Sequence, residues 1–154
     1  MKNALLFISL LIFSTCSTDS SACSIFTNRP AKFHWFDGHR KLPAEPIVEI
    51  EEIMRAGDMG EICTGVAILT ITIPIDRSNP AFAYKFELLS GTPEPIFLDE
   101  PVVGVNRVKG KKTFIFRWIE QDVVPMNAIV RVTAYSRSGR KGGSSEIRIS
   151  DPGR

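Results

Sequence analysis

Histidine is nearly missing from this chain: His34 and His39 are the only two, and the 115 residues that follow His39 have none. A Ser-His-acid triad or a thiol-imidazole pair in that long stretch has no base to draw on. The basic residues of the C-terminal part, Arg107, Lys109, Lys111, Lys112, Arg137, Arg140 and Lys141, come with too few aromatics to read as a nucleic-acid surface. No apolar run reaches the roughly 20 residues that a membrane-spanning helix needs. Phosphate-binding loops, dinucleotide fingerprints and Asn-x-Ser/Thr sequons are all absent. The net charge of +2 is too near zero to argue for a polyanionic partner.

What is present fits one domain with one core. The chain has 154 residues, 44% apolar and 23% charged, which excludes global disorder and a multispan membrane protein. Charge is unevenly placed. Residues 23–102 hold 7 Lys/Arg against 12 Asp/Glu, net −5, and residues 103–154 hold 11 against 4, net +7. Blocks of this kind neutralise each other across neighbouring strands, and we read them as internal pairing.

The N-terminus has the layout of a signal peptide. Lys2 precedes a charge-free, strongly apolar run at residues 4–13, and the chain turns polar from Ser14. Export is therefore expected. Two processing routes are open. One is cleavage after Ala22, where Ser20 and Ala22 supply small residues. The other is lipoprotein processing, because residues 13–16, Phe-Ser-Thr-Cys, resemble a bacterial lipobox, with Cys16 as the lipidated residue and Ser-rich residues 17–22 as a tether. Phe13 stands where that pattern has Leu, and Thr15 where it has a smaller residue. The implied location is the periplasm, the outer membrane as an anchored lipoprotein, or the exterior as a secreted protein.

Either route leaves Cys23 and Cys63 as the candidate disulfide pair of an oxidising compartment. The bridge would close a loop of roughly forty residues, worth about 3–4 kcal/mol in the chain-entropy account. Two unpaired buried thiols, or lipidation at Cys23, are the alternatives.

Periodicity points to strands throughout the mature part. Residues 23–46 are punctuated by Pro30, Gly38, Pro43 and Pro46 and read as an irregular arm, whose cluster Phe33-His34-Trp35-Phe36 is apolar enough to pack on the domain or a partner. Residues 47–54 fit a helix through Ile47, Ile50 and Met54 or a strand through Val48 and Ile50, and we favour strand. At 67–75, Leu69, Ile71 and Ile73 alternate with Thr70 and Thr72. At 82–89, Phe82, Tyr84, Phe86 and Leu88 oppose Lys85 and Glu87, and at 113–119, Phe114, Phe116 and Trp118 face inward with Arg117 outward. A short edge strand is expected near 96–98. Strands at 128–136 and 144–150 flank a turn in which Gly139, Gly142 and Gly143 offer positive φ. The expectation is an all-β fold, a single antiparallel β-sandwich of about seven strands over residues 47–152.

Residues 130–146 resemble the last hairpin of fibronectin type III domains. The matching positions are Val130, Val132, Ala134 and Ser136, then Gly139, Gly142 and Ser144, with Pro43 and Pro46 where such domains begin. Val130 replaces the Tyr of that family, and Trp118 lies in the fifth strand rather than the second. The resemblance implies a fibronectin type III-like or immunoglobulin-like sandwich, a fold that hosts many unrelated roles. The Arg-Gly-Asp triplet of some members does not occur here.

Candidate sites are few. His34, Asp37 and His39 are a cluster with metal-ligand chemistry, but their spacing suits no common metal motif. Glu49, Glu51, Glu52, Asp99 and Glu100 are read as solvated faces rather than as a hydrolytic pair, and Asp58 with Glu61 as a polar turn rather than a calcium loop. No catalytic residue, metal ligand or cofactor is assigned. The expected function is that of a non-enzymatic exported envelope protein, an interaction or structural module for a protein or glycan partner and not for nucleic acid. The alternative is an accessory to a carbohydrate-active or metal-dependent enzyme that uses the aromatic and histidine-bearing arm.

Overall fold

The computed structural model describes residues 28–35, 41–58, 65–75, 81–92, 95, 97–105, 109–122 and 124–153. Residues 1–22, with Cys16, and the two further cysteines Cys23 and Cys63 lie outside them. The described residues contain no helix and form eight strands: β1 (Arg29–Pro30), β2 (Glu49–Met54), β3 (Val66–Pro74), β4 (Ala83–Thr92), β5 (Val102–Val103), β6 (Lys111–Ile119), β7 (Met126–Tyr135) and β8 (Lys141–Asp151). They make two antiparallel sheets, ordered β1-β5-β4-β7-β8 and β2-β3-β6. The protein is thus all-β, with an arrangement consistent with a β-sandwich.

Strand alternation accounts for the packing. The buried cluster joins Leu69, Ile71 and Ile73 of β3 and Phe114, Phe116 and Trp118 of β6 to Tyr84 and Phe86 of β4 and Val130, Val132 and Ala134 of β7. The inner faces of the two sheets therefore meet. Aromatic rings tie them at the centre: Phe86 lies 5.0 Å from Phe114 and 4.7 Å from Phe116, and Tyr84 meets Phe114 edge-on at 5.4 Å. Such pairs add about 0.5–1.5 kcal/mol each beyond area burial. The inward residues of β7 are the ones that carry the hairpin resemblance.

Several local expectations change. Residues 49–54 are a strand, and a register shift between Ile50 and Glu52 lets Val48 and Ile53, an odd number apart, both pack on the core. Phe97 and Leu98 belong to no strand. Phe97 instead inserts beside Phe116 at 4.7 Å, and the short strand lies further on, at Val102–Val103, between β1 and β4 rather than at the sheet edge. Of the three glycines assigned to the last turn only Gly139 has positive φ, at 79°. Gly142 and Gly143 are within β8.

The arm is not wholly irregular, and it covers both rims of the five-stranded sheet. On one side β1 pairs with β5, Arg29 opposite Val103 and Pro30 opposite Val102. Buried Asn28, one residue earlier, reaches the other sheet: the Ile115 N–H donates to its Oδ1 at 2.9 Å and its Nδ2 donates to the Ile115 carbonyl at 2.8 Å. A side-chain amide thereby replaces a neighbouring strand. On the far side the Gly143 N–H donates to the Pro43 carbonyl at 2.9 Å, and the Ser145 hydroxyl to the Pro46 carbonyl at 2.9 Å. A Cβ at Gly143 would stand 2.5 Å from Glu45 N, and one at Gly142 would stand 2.8 Å from Pro43 Cβ. These glycines exist for close approach of the arm.

Candidate functional site

One end of the molecule gathers aromatic and cationic groups. The β7–β8 turn is pinned by the buried Ser136, whose N–H donates to the Arg140 carbonyl at 3.0 Å and whose carbonyl accepts from Gly139 N–H at 3.0 Å. The arm crosses this turn. Ala31 N–H donates to the Pro101 carbonyl at 2.8 Å and His34 N–H to the Arg137 carbonyl at 2.9 Å, which fixes the backbone on either side of Phe33. The Phe33 ring sits 6.4 Å from Phe82 and 6.1 Å from Tyr135, against Gly139. The Arg137 guanidinium lies 5.5 Å from the Phe82 ring centroid. Next along the arm Trp35 is 104% exposed, so its whole side chain faces solvent.

Beneath this end lies Lys112. Its ammonium donates to the Ala81 and Phe82 carbonyls at 2.9 and 3.0 Å and stands 5.4 Å from the Tyr84 ring centroid. Burial lowers the Lys112 pKa and pushes the Tyr84 phenol up to about 12. The lysine holds the backbone of Ala81 and Phe82, just before β4, so its role is to position the platform.

The opposite end carries a buried ion cluster. Arg55, just past β2, is 4% exposed. Its Nε donates to Glu120 Oε2 at 3.3 Å, its Nη2 meets Glu120 Oε1 at 2.6 Å and also donates to the Val124 carbonyl, and its Nη1 donates to Asp151 Oδ2 at 2.9 Å. Ala56 N–H adds a bond to Glu120 Oε2 at 2.8 Å. Burial works against the charge, but the hydrogen bonds and charges of Glu120 and Asp151 outweigh it and raise the Arg55 pKa. A shallow acidic hollow of about 300 Å³ adjoins the cluster, lined by Glu51, Glu52 and Asp58 among others. Asp58 there accepts from Arg55 N–H at 2.9 Å, so the residue weighed for calcium closes a turn. This end fastens β2, β6 and β8 together.

The remaining sequence candidates separate in space. Glu49 and Glu51 meet Lys111 at 2.7 and 3.6 Å, where acids of the first half pair with a base of the second. Asp37 and His39 lie outside the described residues, and among the described residues no three His, Cys, Asp or Glu side chains converge. Sequence reading found the aromatic arm but not its supports Phe82, Tyr135 and Arg137, which only the turn of the chain brings beside it. No family model, no characterised protein and no solved structure matches the chain.

Proposed function

We propose that this protein is a non-enzymatic, exported interaction module that engages its partner through the aromatic end of a fibronectin type III-like sandwich. The observation that carries the reading is Trp35, fully exposed next to a backbone anchored by the His34–Arg137 hydrogen bond, two residues after Phe33 packs on Phe82 and Tyr135. A large apolar ring held in water on a fixed backbone is costly for a monomer and suits recognition, where Trp, Tyr and Arg dominate binding energy. The short β5 lies beside β4 in the larger sheet, with β2-β3-β6 forming the smaller one, and this order supports the fibronectin type III kind of sandwich. The apolar segment at 4–13 supports export, with Cys16 as the lipid-bearing residue if the lipoprotein route is taken.

The test compares the natural chain with Trp35→Ala on a glycan array and in co-purification from the envelope of its own host. Loss of a specific protein partner on substitution is the expected result. Loss of a glycan signal instead would assign the same platform to carbohydrate and favour the accessory role. Unchanged binding in both formats would remove the aromatic end from consideration.

A further inference from the structure

The two ends of the fold differ in charge as well as in shape. Strand β6 shows which groups lie at which end: Lys112, near its start, bonds the Phe82 carbonyl at the aromatic end, and Ile119, its last residue, precedes the Glu120 of the ion cluster. Between Lys111 and Ile119 the strand rises roughly 27 Å, so the ends are on opposite sides of the molecule. Part of the charge asymmetry of the sequence is neutralised between strands, as where Lys111 meets Glu49. The rest is divided between the ends.

Around the exposed Trp35 the charge is positive. Lys32 immediately precedes Phe33, Arg137 lies over Phe82, and Lys141 is the register partner of the Tyr135 on which Phe33 rests; all three cations are exposed. At the opposite end the charge is negative and the apolar surface is also open. Four of the residues lining the hollow beside Arg55 are acids, Glu51, Glu52, Asp58 and Asp151, and Arg55 is the one cation among them. That cation is already shared by Glu120 and Asp151. Ile50, on the wall of the hollow, is 39% exposed, and Val124, whose carbonyl accepts from Arg55, is 44% exposed.

We infer that the partner of the aromatic end is a second copy of this chain, docked head to tail with its acidic hollow against Trp35 and the surrounding cations. The inference rests on the reading of the aromatic end as the binding surface and adds the identity of what it binds. Two aromatic ends repel each other through their cations, whereas unlike ends attract, and this selects the orientation. Trp35 then meets Ile50 and Val124, which removes exposed apolar surface from water on both sides. Lys32, Arg137 and Lys141 meet Glu52, Asp58 and Asp151. Because the two surfaces lie on opposite sides of one copy, each contact leaves one end of either kind open, and the copies add into rows rather than closing as a symmetric pair.

Sedimentation velocity on the chain isolated from its own host tests this. At low salt, species larger than one copy should grow with concentration, and about 0.5 M salt should weaken the association about tenfold or more. Trp35→Ala combined with Arg137→Glu spoils one end, and Glu52→Lys combined with Val124→Lys spoils the other. Each variant alone should remain a monomer. Mixed, they should form a one-to-one pair and nothing larger, since each still has the end that the other lacks. Without any substitution, raising the concentration should shift the nuclear magnetic resonance signals of the Trp35 indole and the Glu52 amide together, with Val130 and Val132 in β7 unmoved. A shift at one end alone, association that survives either pair of substitutions, or a mixture that does not pair overturns the proposal. So does a natural chain that stays monomeric at about 0.5 mM. If Trp35→Ala still removes a different envelope protein from that monomer, the aromatic end keeps its role and the second copy is ruled out as its partner.

Discussion

Arg55 shows how a charged side chain becomes part of the interior. Its guanidinium is surrounded by Glu120, Asp151 and the Val124 carbonyl, contributed by residues 65 to 96 positions away. Replacing it with Met leaves the Glu120 carboxylate, itself 1% exposed, without its counter-charge. Arg55→Met should therefore lower unfolding stability by about 3–5 kcal/mol in urea titration. Arg55→Lys should fall between, since one ammonium cannot present the planar fork that bonds both carboxylates and the carbonyl. None of this was legible beforehand. In sequence Arg55 opens a polar turn with Gly57 and Asp58, and nothing local distinguishes a residue that will be buried by distant partners.

At the scale of elements, β3, β4, β6 and β7 were readable because each has one face on the core, and a period of two then appears directly in the sequence. The faces assigned to Phe114, Phe116 and Trp118, and to Tyr84 and Phe86, are the buried ones. The failures came where an element answers to something other than that face. Gly142 and Gly143 resemble turn glycines, yet their function is contact with the arm, which local pattern does not encode. Gly143→Ala tests this: β8 itself tolerates alanine, but the new Cβ must push Glu45 away. The expected results are a loss of about 1–3 kcal/mol and faster exchange of the residue 143 amide, which is bonded to Pro43. A stable variant with that amide still protected would show that the arm is held by other contacts.

For the whole molecule, the segment before β2 works as a strap, running from the Asn28 contact on one sheet, over the aromatic end, to the rim of β8. The proposed Cys23–Cys63 bridge belongs to the same scale. Cys63 precedes Val66 by three residues, and Val66 is the register partner of Ile119. Cys23 precedes Asn28 by five, within chain reach of that point. Intact-mass measurement with and without reductant should show the two hydrogens gained on reduction. Reduction should also cost about 3–4 kcal/mol of stability. An unchanged mass would mean free thiols and would weaken the case for an oxidising compartment.

The β class and the identity of the core strands followed from the sequence alone, because burying one face of a pleated strand forces an alternation that can be read without any partner. Tertiary structure alone decided which rims the arm covers, that Arg55 lies inside, and that Phe33 rests on Phe82 and Tyr135. Each of these depends on groups far apart in the chain, and such pairings leave no period behind.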